Sequence, residues 1–137
     1  MGHMEPIRTG MAPAPRVLVV DDDEGVRLTF ARVLRLEGYC VQVAATAEEA
    51  LGQVQQERPD AILVDLKMSF INGVGFLYRL RHDPANRDIA VGVITGATEL
   101  DDETVNDLRM LSAQVWHKPL ALEEIQQVAR TLLTRRS

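Results

Sequence analysis

The sequence predicts a doubly wound α/β domain of (βα)5 type, in which five parallel strands alternate with five helices. Two observations support this prediction: short, wholly apolar runs recur along the chain, and segments with helical spacing of apolar residues lie between them. A parallel strand that is covered by helices on both faces is apolar throughout, whereas a strand with one face in water alternates. The 137 residues fit one domain of this kind.

The first strand is the apolar run at residues 17–20. It ends at the acidic triplet 21–23, and acidic residues favour the first turn of a helix. Apolar residues then recur at helical spacing, at Val26, Phe30, Val33 and Leu34. Gly38 is a typical stop, so a first helix lies between the triplet and this glycine.

The second unit repeats this order. Residues 39–43 form the second predicted strand, and Thr46 with Glu49 three positions later is the capping-box pattern that begins a helix. Arginine and proline at 58–59 end that helix. A third apolar run at residues 61–64 then predicts a buried strand, which closes at Asp65.

The remaining units are shorter but keep the alternation. The turn at residues 72–73 leads into the third helix, and residues 90–94 form the fourth strand. An acidic stretch begins a helix at about residues 101–111, and residues 113–116 are the best candidate for the fifth strand. The last helix carries one apolar face, formed by Leu122, Ile125, Ala129 and Leu132.

Composition and charge narrow the class of protein. The net charge of −5 argues against nucleic acid as a partner, and no apolar run approaches the ~20 residues that a membrane span needs. Cys40 is a lone cysteine and no signal peptide is visible, so we expect a cytoplasmic protein. We interpret residues 1–15 as a cloning remnant and a flexible arm, which leaves residues 16–137 as the expected domain.

Polar residues close four of the five predicted strands. They are Asp21 and Asp22 after the first strand, Asp65 after the third, Thr95 after the fourth and Lys118 after the fifth. The carboxyl ends of parallel strands meet at one edge of the sheet, so we expect these residues to lie together. Carboxylates that meet there need a compensating cation, and without a nearby His or Cys the pattern favours Mg²⁺. A lysine and a threonine beside them suit a phosphoryl group, for which a carboxylate can be the nucleophile.

With these residues the chain resembles the receiver domain of two-component response regulators, over about residues 16–134. The matching motifs are Val19-Val20-Asp21-Asp22-Asp23, the run from Asp65 to Met68 with Gly73 eight positions after Asp65, Ile94-Thr95-Gly96, and Lys118-Pro119. The resemblance implies a five-stranded sheet of flavodoxin-like topology with strand order 2-1-3-4-5. It also implies a signalling domain, not an enzyme with its own substrate.

The resemblance implies a role for each residue around the phosphoryl group. Asp65 would be the phosphoacceptor, which attacks the phosphohistidine of a sensor histidine kinase or of a phosphotransfer protein. Thr95 and Lys118 would contact the phosphoryl oxygens. Gly96 would allow its backbone to approach the phosphoryl group closely.

The resemblance also implies the ligands of a Mg²⁺ ion. Asp22 would bind the ion directly, and Asp21 would act on it mainly through water. Asp65 would supply one carboxylate oxygen, and the backbone carbonyl of Lys67 would supply another ligand. The side chain of Lys67 would take no part.

Three departures from the family pattern bear on the output. Ser69 replaces the usual proline, which we expect to loosen the loop after Asp65. Val115 replaces the usual Tyr or Phe, so the signal would pass through residues 95–101 alone or be reported by Trp116. Lys67 and Ala97 lie two positions past Asp65 and Thr95, where we expect their identity to set the lifetime of the phosphoryl group.

Other functions stay open at the level of sequence. A phosphatase of the haloacid-dehalogenase type would use Asp21 as nucleophile, but it leaves Asp65 unexplained and usually has an acidic pair after its lysine. A flavodoxin-like flavin binder would need Gly, Ser and Thr donors after the first strand instead of carboxylates. Because Val115 replaces the usual aromatic residue, a receiver-like interaction module that is not phosphorylated also remains an alternative. Apolar residues on the last two helices and the fifth strand permit a homodimer, whereas the effector and the kinase are not identifiable.

Overall fold

A computed structural model of the chain describes residues 13–67, 72–96 and 100–134. Its strands are β1 (Arg16–Val20), β2 (Cys40–Ala44), β3 (Ala61–Val64), β4 (Ala90–Thr95) and β5 (Ala113–His117). Its α-helices are α1 (Glu24–Leu36), α2 (Ala47–Gln56), α3 (Gly73–His82), α4 (Asp102–Met110) and α5 (Leu122–Thr134). All strand pairs are parallel and the order is β2-β1-β3-β4-β5, so the predicted doubly wound fold is confirmed.

Local capping explains where the first two helices begin. The Asp23 carboxylate accepts a hydrogen bond of 3.0 Å from the backbone N–H of Val26, which caps α1. Thr46 Oγ1 accepts from the N–H of Glu49 at 3.1 Å, and Glu49 Oε1 accepts from the N–H of Ala45 at 2.7 Å. The predicted capping pattern is therefore present, with the glutamate bonded to the residue before the cap instead of the cap itself.

Two apolar clusters cover the two faces of the sheet. On one face the helices α2, α3 and α4 pack over inward residues such as Leu18 and Ile62. On the other face α1 and α5 pack over residues such as Val19 and Leu63. Every residue of β3 is buried, because it is the central strand and both of its faces are covered.

The structure changes several predicted boundaries. β4 extends to Thr95, which is therefore the last residue of the strand, and β5 extends to His117. Residues Pro84–Asn86 form a short 3-10 helix, which the sequence did not indicate. β5 is an edge strand whose residues are half-buried or exposed, and this explains why its apolar pattern is weak.

The described ranges contain no helix that is both long enough and apolar enough to cross a bilayer. Pro13 is the first described residue, so the arm predicted for residues 1–15 falls mostly outside the described ranges. The domain boundary at residue 16 stays a prediction. It coincides with the start of β1 at Arg16.

Candidate functional site

The sheet holds the backbones of two aspartates side by side. Val20 in β1 pairs with Val64 in β3, so the next residues along both strands are neighbours. The N–H of Asp65 donates to the carbonyl of Val20 at 3.1 Å, and the N–H of Asp21 donates to the carbonyl of Ala44 at 3.1 Å. The hydrogen-bonding pattern of the sheet thus continues one residue past the strands and fixes the position of both acidic residues.

The three predicted carboxylates form one cluster. One carboxylate oxygen from each of Asp21, Asp22 and Asp65 lies within 4.8 Å of the other two. Asp21 and Asp65 are buried, at 4% and 9% exposure, whereas Asp22 is exposed to solvent. All three donors are hard oxygens, and one side of the cluster is open to water, so the residues fit a divalent cation that keeps part of its hydration shell, as Mg²⁺ does.

Lys118 follows the edge strand β5, and its side chain reaches this cluster. Its Nζ is 3.1 Å from Asp21 Oδ2 and 3.4 Å from Asp65 Oδ2. Its backbone N–H donates to the carbonyl of Thr95 at 2.8 Å, and its peptide bond to Pro119 is cis. The ammonium group of Lys118 thus contacts two of the three clustered carboxylates, those of Asp21 and Asp65, and lowers the cost of holding these buried acidic groups close together.

Burial and the contact between Asp21 and Lys118 shift the pKa values of both residues. Burial raises the pKa of Asp21 above 3.8, and the hydrogen bond from the backbone of Asp23 and the contact with Lys118 oppose that effect only in part. Burial alone would lower the pKa of Lys118, but the hydrogen bond and charge of Asp21, followed by the charge of Asp65, outweigh it and raise that pKa. Lys118 therefore remains an ammonium group at neutral pH.

Several backbone contacts orient the acidic residues. Asp21 Oδ1 accepts from the N–H of Asp23 at 2.9 Å, and Asp65 Oδ1 accepts from the N–H of Lys67 at 3.3 Å. The guanidinium of Arg27 donates to the backbone carbonyl of Asp21 at 2.9 Å. Arg27 was not predicted as a site residue, although its position four residues after the Asp23 cap places it on the first turns of α1.

Gly73 allows α3 to approach Asp65 closely. A Cβ at this position would lie 2.6 Å from the carbonyl oxygen of Asp65 and 2.9 Å from the Cα of Leu66. The N–H of Gly73 also donates to the carbonyl of Leu66 at 2.8 Å. Because both neighbouring groups are backbone, no other residue fits here without a shift of the helix or of the Asp65 segment.

The other predicted residues lie on the same rim or beside it. Thr95 is fully buried at the end of β4, and Gly96 follows it at the surface. A Cβ at Gly96 would meet no described heavy atom within 4 Å, so contacts in the structure do not demand glycine there. Val115 pairs with Val93 and is half-buried. The predictions for Met68, Ser69 and Ala97 concern residues outside the described ranges.

Comparisons with known proteins agree with this geometry. The family model of the response regulator receiver domain matches residues 17–130. The transcriptional regulatory protein PrrA of Mycobacterium bovis is 37% identical over 123 residues, which are 90% of this chain and 52% of PrrA. The response regulator MprA of Mycolicibacterium vanbaalenii is 37% identical over 120 residues, which are 88% of this chain and 51% of MprA. The chain thus spans about half the length of the curated relatives it matches.

Solved structures give the same result. The chemotaxis protein CheY4 of Vibrio cholerae superposes with a TM-score of 0.80 at 27% identity, over 88% of this chain and 99% of that one. A response regulator of Chloroflexus aurantiacus superposes with a TM-score of 0.79 at 29% identity, over 89% of this chain and 99% of that one. From its strand order, its acidic rim and these matches, the chain belongs to the family of receiver domains of two-component response regulators.

Proposed function

We propose that Asp65 accepts a phosphoryl group from a sensor histidine kinase or a phosphotransfer protein, and that this modification switches the binding of a downstream partner. The observation that carries the proposal is the position of the Asp65 carboxylate. It is buried at the centre of the rim, 3.4 Å from Lys118 Nζ and in one cluster with Asp21 and Asp22. A carboxylate in this position is a nucleophile with cationic and hydroxyl groups close to the incoming phosphorus.

The chemistry is a displacement at phosphorus. A carboxylate oxygen of Asp65 forms the new P–O bond, the P–N bond of the phosphohistidine breaks, and the electron pair leaves with the imidazole of the donor. Lys118 pairs with one phosphoryl oxygen, and the Thr95 hydroxyl donates to another. The amide of Gly96 lies next to Thr95 for a third contact. The domain thus assists only its own phosphorylation and dephosphorylation.

Asp21, Asp22, Asp65 and the carbonyl of Lys67 would hold Mg²⁺. When bound, the ion would neutralise charge that develops on the phosphoryl oxygens. Burial of Asp21 supports this assignment, since it raises the pKa of that carboxyl and so disfavours the anion until a cation compensates it. We place the domain, at residues 16–137, in the cytoplasm, where its phosphoryl donors would be found.

The test is phosphorylation by acetyl phosphate in the presence of Mg²⁺, followed by intact mass. We expect one added phosphoryl group, which does not form when EDTA is present from the start and is absent in Asp65→Asn. The variant Asp21→Asn separates this proposal from the phosphatase alternative, because a haloacid-dehalogenase-type enzyme would lose its nucleophile. Modification that persists in Asp65→Asn, or turnover of phosphate monoesters that depends on Asp21, would contradict the proposal.

A homodimer through the edge of the sheet stays a prediction. Large apolar side chains are exposed on α4 and at the start of α5, namely Val105, Met110 and Leu122. Analytical ultracentrifugation of the acetyl-phosphate-treated and untreated chain would test whether phosphorylation changes the oligomeric state. An unchanged monomer in both conditions would contradict the prediction.

A further inference from the structure

A cavity lies at the end of the sheet opposite to the acidic rim. It has a volume of about 440 Å³ and opens beside the first residues of β4 and β5, among them Ala90 and Ala113. Small-molecule pockets typically have volumes of about 300–1,000 Å³. The cavity is therefore of a size that could hold a small organic ligand, and it shares no residue with the phosphorylation site.

Three arginines from three different segments line this cavity. Arg81 comes from α3, Arg87 follows the 3-10 helix, and Arg109 belongs to the last turn of α4. The carboxylate among the lining residues is Asp88, which already forms an ion pair with Arg58. The three guanidinium groups therefore give this part of a chain with a net charge of −5 a local positive potential.

Arg81 gives the cavity a rigid cationic wall. Its guanidinium is half-buried and donates to the backbone carbonyls of Asn86 at 2.8 Å, Ile89 at 2.8 Å and Leu111 at 3.0 Å. These partners are neutral, so the guanidinium keeps its full charge while its position is fixed. The side chains of Arg87 and Arg109 line the cavity and are exposed to solvent, so they can reach a ligand.

The inner lining is apolar. Leu132, Ile89 and Val91 are buried residues that form part of the wall. A ligand that used the whole cavity would therefore place charged groups at the arginines and an apolar part against these side chains. Guanidinium groups bind phosphate through paired, charge-assisted hydrogen bonds, so two exposed arginines from different segments can each bind one phosphate group of a diphosphate.

We propose that this cavity is a binding site for a small phosphorylated organic anion of nucleoside diphosphate type, held by Arg87 and Arg109. The ligand would connect the segment before β4 to the end of α4, two segments that Arg81 already joins through carbonyl contacts. Leu132 lines the cavity and also lies near Trp116, because Leu132 Cδ1 and Trp116 Cζ3 are 2.9 and 3.0 Å from the position of a Cβ at Gly92. A ligand that displaces Leu132 would therefore change the packing around Trp116. Trp116 is the only tryptophan in the chain and therefore reports on this packing.

The probe is ADP, titrated into the full chain in EDTA at low salt and followed by calorimetry and Trp116 fluorescence. EDTA keeps divalent ions away from the acidic rim. We expect saturable one-to-one binding, weaker binding of pyrophosphate, and unchanged binding of ADP in Asp65→Asn. The double variant Arg87→Gln, Arg109→Gln should weaken ADP binding by about tenfold or more, as expected for the loss of charge-assisted hydrogen bonds.

The matched control is Arg79→Gln, which removes an exposed arginine of α3 that does not line the cavity. It makes the net charge of −5 more negative by one unit without changing the cavity, so it should bind ADP as the parent does. Thermal melts establish that every variant is folded. The inference is overturned by a lack of saturable ADP binding, by equal affinity in the double variant and the parent, or by an oligoglutamate peptide that binds more tightly than ADP.

Discussion

Replacement of Gly73 by alanine tests how closely α3 must approach Asp65. A Cβ would lie 2.6 Å from the carbonyl oxygen of Asp65, about 0.8 Å inside the ordinary contact distance of 3.4 Å. A shift of that size along the hydrogen bond from Gly73 to Leu66 would lengthen it from 2.8 Å to about 3.6 Å, which is no longer a hydrogen bond. Overpacking against rigid neighbours costs about 1–3 kcal/mol, and the lost hydrogen bond adds about 0.5–1.5 kcal/mol.

Gly52→Ala is the matched control for this substitution. Gly52 lies within α2 and is exposed, and a Cβ there would meet no described heavy atom within 4 Å. Alanine in a helix interior is favoured over glycine by about 0.5–1 kcal/mol, so this variant should be slightly more stable than the parent. The two glycine-to-alanine substitutions are therefore expected to change stability in opposite directions.

The assay is urea unfolding followed by Trp116 fluorescence and circular dichroism, with the rate of phosphorylation by acetyl phosphate as a second measurement. Gly73→Ala should lower the free energy of unfolding by about 1.5–4.5 kcal/mol, the sum of the two costs above. It should also slow phosphorylation, because the displaced segment carries Asp65. If Gly73→Ala unfolds at the same urea concentration as Gly52→Ala, the close approach of α3 does not constrain Asp65 and the reasoning is refuted.

Three further predictions concern Asp21, Gly92 and Arg27. Burial raises the pKa of Asp21 above 3.8, so the folded state binds this proton more tightly than the unfolded chain and stability falls as the pH rises above that value. Asp21→Asn in EDTA should therefore raise the urea midpoint at about pH 7 but not at about pH 3. Equal shifts of the midpoint at both pH values would show that ionisation of the Asp21 carboxyl is not the cause. Gly92→Ala should lower stability by about 1–3 kcal/mol and shift Trp116 emission, because its Cβ would lie 2.9 Å from Leu132 Cδ1. Arg27→Met should weaken Mg²⁺ binding, measured by calorimetry, because it removes the hydrogen bond to the Asp21 carbonyl, whereas Arg32→Met on the exposed face of the same helix should not.

The sequence predicted best those parts of the fold that depend on residues close together along the chain. The run at 61–64 is apolar throughout because both faces of the central strand are covered, and the Thr46 cap is a contact within one turn. β5 was harder to predict from the sequence, because an edge strand with half-buried residues has a weaker apolar pattern. The acidic rim was predictable because the carboxyl ends of parallel strands must meet at one edge.

Other features depend on packing between distant segments and have no local pattern. The cavity arginines lie in three segments that only the crossover connections bring together. The backbone clearance at Gly73 depends on the angle at which α3 approaches β3. Arg27 resembles any helical arginine until its carbonyl partner at Asp21 is known.

Lys118 is attached to the molecule at two points that belong to different structural regions. Its amide directly follows the edge strand β5 and is bonded to the carbonyl of Thr95 in the neighbouring strand β4, whereas its ammonium contacts Asp21, which lies 97 positions away along the chain. Lys118 therefore connects the acidic cluster to β5, the strand in which no residue is fully buried. A new anion at the cluster would compete for the ammonium, and any resulting movement would pull first on the edge strand. Because β5 is an edge strand in which no residue is fully buried, we expect such a change in charge to displace β5 more readily than the buried strand β3.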